Sequence, residues 1–191
     1  YLGLSNLFDR YFKIASDLGM NVTTGLMYKV TEKFGRDGDL NEYKTIIEEA
    51  SKVDHDTWFH SFIAEYYRIN KNYELAFKHI DRIRDQDQNS QTSYTPKDYL
   101  RAIIYLEMGE KEKAMELFTI ALNDIEEKLK SEKDDPRFLA FKGKVLAYLG
   151  KEKEAIEFGY KATNIVSVEN DKLQGGDYNY NLAKIYSVTG N

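Results

Sequence analysis

Three histidines, one aspartate run and several carboxylate pairs are the side chains here with the chemistry to hold a metal or move a proton. His55 and His60 are five residues apart, a spacing that does not turn two rings to one helix face for a shared metal. His55 falls in a connector, and all three histidines, His79 included, read as satisfied or solvated rings. Asp85, Asp87 and Asn89 open like a calcium loop. Ser90 stands where that loop needs glycine and Pro96 where it needs the closing glutamate, so the ligand set fails. Glu48-Glu49 and Glu126-Glu127 read as solvated helix faces, and the alternations Glu110-Lys-Glu-Lys113 and Lys151-Glu-Lys-Glu154 as helix-supporting charge patterns. No phosphate-binding glycine loop or serine nucleophile motif occurs. Trp58, in Trp58-Phe-His-Ser-Phe62, reads as a packing residue. The expectation is a segment with no catalytic residue, no metal site and no cofactor.

The elements carrying these residues are helical. Hydrophobic content is 42%, charged content 31%, and prolines number two, a balance that favours amphipathic helices. The net charge of -5 argues against nucleic-acid binding, which needs a basic stripe. There is no cysteine, so disulfides and thiolate metal sites are excluded. No apolar run approaches the roughly 20 residues of a membrane span, and no signal peptide is visible. The chain begins with Tyr1 rather than methionine. It is expected to be a piece of a longer protein with no membrane contact of its own, cytoplasmic, or periplasmic if an upstream span exists.

A pattern recurs along the chain. Its anchors are Gly3, Gly38, Lys71, Gly109, Gly150 and Gly190, at steps of 35, 33, 38, 41 and 40 residues by subtraction. Four residues before each of the last five stands a large apolar residue: Phe34, Tyr67, Tyr105, Leu146 and Tyr186. Seven residues before stands a small one: Thr31, Ala64, Ala102, Gly143 and Ala183. Five residues after an anchor come Phe8, Tyr43, Ala76, Ala114 and Ala155, and seven further on Ala15, Ala50, Ile83, Ala121 and Ala162. Small residues let helices approach, aromatics fill the space beside them, and a seven-residue spacing keeps one helix face. A repeat of this length indicates a helical solenoid.

This arrangement resembles the tetratricopeptide repeat family, with Gly109-Glu-Lys-Glu-Lys-Ala114 and Gly150-Lys-Glu-Lys-Glu-Ala155 as its best matches. The resemblance implies an all-α fold, a right-handed α-α superhelix of antiparallel helix hairpins. It sets a half repeat at 4–18, full repeats at 24–53, 57–86, 96–131 and 136–167, and a half repeat at 176–189. Within the full repeats, helices are expected at 24–36, 39–53, 57–70, 73–86, 96–108, 111–131, 136–149 and 152–167. Thr95-Pro96 and Asp134-Asp-Pro136 are helix starts, and the polar stretch 85–94 is a loop. Tyr43 and Phe8 depart from the small residue that opens the second helix, and Gly159 from its buried aromatic. Residues 134–190, from Asp134-Asp-Pro-Arg137 to Tyr186-Ser-Val-Thr-Gly190, also resemble the C-terminal repeats of bacterial multidomain signalling proteins. Those repeats follow a nucleotide cyclase, a serine/threonine kinase or a winged-helix regulator.

Such arrays hold an extended peptide or a helix in the groove lined by the first helix of each hairpin. The resemblance therefore implies a protein or peptide partner at Tyr28, Glu32, Ser61, Glu65, Arg68, Tyr99, Ile103, Lys144, Tyr180 and Lys184. The lysine and asparagine slots of the family's chaperone-tail clamp fall on Tyr28 and Glu32, and Phe62 takes the next asparagine slot. That clamp is absent, and Glu32 with Glu65 repels a carboxylate. The leading expectation is a non-catalytic scaffold segment of a signalling protein, with a cyclase among the candidate effectors. Two other readings stand beside it: a peptide- or small-ligand-sensing array, and a self-association module. For the last, the ends carry apolar sides expected to lack partner helices, namely Leu7, Phe8 and Phe12, and Leu182, Ile185 and Tyr186. A homodimer is expected through one of them, above all the C-terminal helix.

Overall fold

The computed structural model describes residues 10–15, 17–19, 44–45, 47, 59–90, 92–172 and 174–190. The described part is all-helical. After a helical stretch at 10–15, the helices are α1 (His60–Ile69), α2 (Tyr73–Asp81), α3 (Lys97–Glu107), α4 (Lys111–Ser131), α5 (Pro136–Tyr148), α6 (Glu152–Ile165) and α7 (Gln174–Thr189). A short 3-10 turn lies at Asp85–Gln88. The chain divides into two compact units, Tyr1–Ile83 and Arg84–Asn191. The expected helices at 24–36 and 39–53, and most of 4–18, lie outside the described residues.

The helix ends follow from backbone chemistry at the anchors. Lys71, Gly109, Gly150 and Gly190 all have positive φ, between 57° and 82°. Three of the turns close with the same pair of hydrogen bonds. Gly109 N–H donates to the Leu106 carbonyl and Glu110 N–H to Tyr105; Gly150 donates to Ala147 and Lys151 to Leu146; Lys71 donates to Arg68 and Asn72 to Tyr67. This left-handed cap satisfies carbonyls that a helix end leaves open. Starts are set as locally. Asp135 caps α5 by accepting the Arg137 N–H at 2.9 Å, with Pro136 in the first turn, and Asn72 caps α2 by accepting from Leu75 N–H at 3.3 Å.

In the first unit, α1 and α2 form an antiparallel pair that buries Ile63, Ala64, Ala76, Ile80 and Ile83. In the second unit, α3 packs on α4, α4 on α5, α5 on α6, and α7 on both α5 and α6. Its core joins Ala102, Ala114, Phe118, Ala121, Phe141, Leu146, Ala155 and Ile185. Aromatic rings fill the seams. Phe118 and Tyr148 stack at 4.7 Å, and the edge of Tyr99 meets Phe141 at 5.3 Å, each such pair adding about 1 kcal/mol to its burial.

Gly143 and Gly159 decide how close α7 comes. A Cβ on Gly143 would lie 2.7 Å from Ile185 Cδ1, and one on Gly159 would lie 2.8 Å from Leu182 Cδ1. The aromatic expected at position 159 is therefore replaced by side chains arriving from α7. Ile185 is fully buried and Leu182 partly so, while Tyr186 donates from its hydroxyl to that of Tyr160 on α6 at 3.0 Å. This corrects the expectation that Leu182, Ile185 and Tyr186 form an uncovered self-association surface. They pack on the preceding hairpin, and α7 instead leaves Tyr180, Ala183 and Lys184 exposed.

Candidate functional site

The first helices of the two hairpins in the second unit are α3 and α5, and α7 packs against both α5 and α6. Tyr99 and Ile103 are one turn apart on α3, Tyr180 and Lys184 one turn apart on α7, and Lys144 lies on the intervening helix α5. The Lys144 ammonium stands over the Tyr99 ring at 5.6 Å and the Phe141 ring at 5.8 Å from their centroids. The Lys184 ammonium stands over Tyr180 at 4.8 Å. Tyr99 is buried, Ile103 partly so, and Tyr180 is 62% exposed. Five of the ten residues named from the sequence thus lie on α3, α5 and α7 of the second unit.

Electrostatics single out Lys144. Burial, and then the charge of Lys184, bring it from the ordinary 10.5 down to about 8. Among the other half-buried bases of this unit, Lys97 meets Asp85 at 3.3 Å, Arg101 meets Asp98 at 2.9 Å, Arg137 meets Asp135 at 2.5 Å and Lys142 meets Glu126 at 2.8 Å, while the Lys128 ammonium lies over the Tyr94 ring at 5.4 Å.

On α1, Ser61, Glu65 and Arg68 are partly buried. Glu65 and Arg68 engage each other in a two-pronged ion pair, Nε to Oε2 at 2.7 Å and Nη2 to Oε1 at 2.5 Å. Tyr28 and Glu32 lie outside the described residues.

A cleft of about 420 Å³ lies where the 85–96 connector meets α3 and α4. Asp85, Tyr94, Lys97, Asp98, Arg101 and Asp124 line it. Its charges answer one another. Asp85 takes Lys97 and the Gln88 amide, Asp98 takes Arg101, and Asp124 accepts the Tyr94 hydroxyl in a short hydrogen bond. Burial, then the Asp124 hydrogen bond and the negative charge around it, push the Tyr94 phenol far above its ordinary value. The connector itself is more ordered than a plain loop. Asn89 and Tyr94 form an antiparallel bridge, Thr95 N–H donates to the Gln88 carbonyl at 2.8 Å, and Arg137 reaches the Ser90 carbonyl at 3.2 Å.

Sequence reasoning missed one pair. His60 and His79 Nδ1 atoms lie 3.0 Å apart across the α1–α2 hairpin, with His60 buried and the His79 ring stacked on Tyr67 at 5.5 Å. One ring donates and the other accepts, so at least one Nδ1 carries no proton. The signal was their placement on either side of the Lys71 turn, not their spacing along one helix.

Among the described residues no helix is long and apolar enough to cross a membrane. The chain matches no protein-family model, no curated protein and no solved structure.

Proposed function

We propose that this chain is a protein-interaction segment built as a tetratricopeptide-like stack of helical hairpins. It holds an extended peptide of a partner along α3, α5 and α7. The observation carrying this reading is the row of Tyr99, Ile103, Lys144, Tyr180 and Lys184. It joins a buried aromatic edge, an aliphatic side chain, two ammonium groups and an exposed tyrosine across three alternate helices. Tyrosines and cations held on rigid helices anchor protein interfaces at small entropic cost. The likeness of residues 134–190 to repeats of bacterial signalling proteins supports a parent of that kind, with a nucleotide cyclase or kinase as effector and the segment in the cytoplasm.

The test is a peptide array probed with the full 191-residue chain, followed by affinity measurement of selected peptides. Tyr180→Ala removes an exposed ring without opening the core, and it weakens the selected peptides by about tenfold, as loss of an interface anchor does. Unchanged affinity in this variant, or turnover of a nucleotide by the segment alone, contradicts the reading.

A further inference from the structure

The charges that line the cleft between the 85–96 connector, α3 and α4 do not all cancel. Asp85 meets Lys97 at 3.3 Å and Asp98 meets Arg101 at 2.9 Å. Asp124 and Lys128 are left over. They stand four residues apart on α4, a spacing at which an acid and a base commonly pair, yet among the described residues neither meets a counter-charge. Each is engaged by Tyr94 instead: the phenol hydroxyl donates to Asp124, and the Lys128 ammonium lies over the ring at 5.4 Å from its centroid. Tyr94 is itself buried, with ring edges against Phe138 at 5.4 Å and Phe141 at 5.1 Å. The ring that engages the two charges is therefore fixed.

The negative charges of Asp124, Asp85 and Asp98 all act on the Tyr94 hydroxyl, so its surroundings favour a cation, whereas Lys128 favours an anion. Ile120 lies one turn before Asp124. It is exposed, Ala121 beside it is buried, and both line the cleft. Along one face α4 thus presents an apolar surface, a carboxylate and an ammonium in that order, at steps of about 6 Å. A lone cation would be repelled by Lys128 and a lone anion by Asp124, so a ligand bearing both charges offsets both. An α-amino acid carries the complementary set on one carbon, and a volume of about 420 Å³ is that of a small-molecule site.

We infer that this cleft is a binding site for a free α-amino acid with an apolar side chain, its ammonium on Asp124, its carboxylate on Lys128 and its side chain over Ile120. The site shares no residue with the proposed peptide groove and does not rest on that reading.

The experiment is a titration of the full chain with leucine, followed by backbone amide spectra and repeated with isoamylamine, isocaproate and dileucine. Isoamylamine lacks the carboxylate, isocaproate lacks the ammonium, and dileucine holds its charges further apart. Leucine is expected to shift amides at Tyr94 and along residues 120–128 and to bind at least about tenfold tighter than either one-charge analogue. Asp124→Asn keeps an acceptor for the Tyr94 hydroxyl and removes the charge, which brings leucine down to the level of isocaproate without weakening isocaproate. Lys128→Gln brings leucine down to the level of isoamylamine without weakening isoamylamine. Both substitutions leave the buried residues of α4 untouched. Leucine affinity unchanged in either variant, an analogue that matches leucine, or shifts confined to helices other than α4 overturns the assignment. Dileucine binding tighter than leucine overturns it in favour of a short peptide. The absence of any shift overturns it outright, while the groove is judged by its own peptide screen.

Discussion

Ile185 Cδ1 occupies the space beside Gly143, 2.7 Å from where a Cβ would stand. The same methyl lies 2.9 Å from the corresponding point on Gly159. One isoleucine therefore reads two glycines, one on each helix of the preceding pair, and fixes α7 against both. This contact sets the position of Tyr180 and Lys184 relative to Lys144.

Replacing these glycines by alanine has graded effects. At Gly159 the clashing atoms are ends of the Leu182 and Ile185 side chains, which can swing aside. At Gly143 the Ala155 carbonyl, 2.9 Å away, cannot. At Gly175 all three neighbours are backbone atoms of Ser167 and Val168, within 2.8 Å. Against a helix-propensity gain of about 1 kcal/mol, Gly159→Ala is expected to be near neutral. Gly143→Ala and Gly175→Ala each lose about 1–3 kcal/mol. Urea denaturation, with hydrogen exchange to locate the loss in α7, checks the ranking.

Lys71 stands at φ 57° in a turn whose counterparts at 109, 150 and 190 are glycine. A side chain in that region costs about 1 kcal/mol. Lys71→Gly should raise stability by about 0.5–1 kcal/mol net of the greater freedom of the unfolded glycine. A loss on chemical denaturation would count against the cap geometry at this turn.

Lys144 makes stability depend on alkaline pH. Its folded value, about 8 through burial and then Lys184, lies below the ordinary 10.5, so between these values the unfolded chain holds more protons. Stability accordingly rises as pH climbs from about 8 toward 10.5 and is lower at and below 8. The gain is on the order of 2 kcal/mol, less than full enclosure would give. Lys144→Met is expected to be at least as stable as the parent at neutral pH and to flatten the rise. An unchanged slope in that variant removes Lys144 as its source.

Asp135 acts in the opposite range. Burial raises its carboxyl, but the hydrogen bonds and charge of Arg137, with backbone N–H donors, more than reverse this and leave it below the ordinary carboxylate value. A depressed value gives stability that is present above the ordinary carboxylate range and is lost as pH falls through the folded value. Asp135→Ala removes the α5 cap and the Arg137 partner, at a cost of about 1–2 kcal/mol at neutral pH. Thermal unfolding followed down to acid pH should show the difference from the parent shrinking.

Helix ends were legible in the sequence wherever an anchor marked a left-handed turn. Lys71, Gly109 and Gly150 close α1, α3 and α5 within two residues of the expected ends, because the positive φ is a local requirement. The small residues Ala64, Ala102, Gly143, Ala76, Ala114 and Ala155 are all buried, as interhelical approach demands. The face of α7 was not legible. Ala183 matches Ala102 and Gly143 in spacing, yet it is exposed, and Asn181 and Ile185 turn inward, since what α7 buries depends on the hairpin it lies against. The candidate site was half legible. Tyr99, Lys144, Tyr180 and Lys184 came from their positions on first helices. The His60–His79 pair and the Tyr94–Asp124 bond depend on contacts between elements that no local spacing encodes.

The most direct test of the account is hydrogen exchange on the full chain with and without a peptide selected from the array. Binding along the first helices protects amides in α3, α5 and α7 around Ile103, Lys144 and Tyr180 and leaves α4 and α6 unchanged. Protection confined to α4 and α6, or spread without regard to helix, would contradict it.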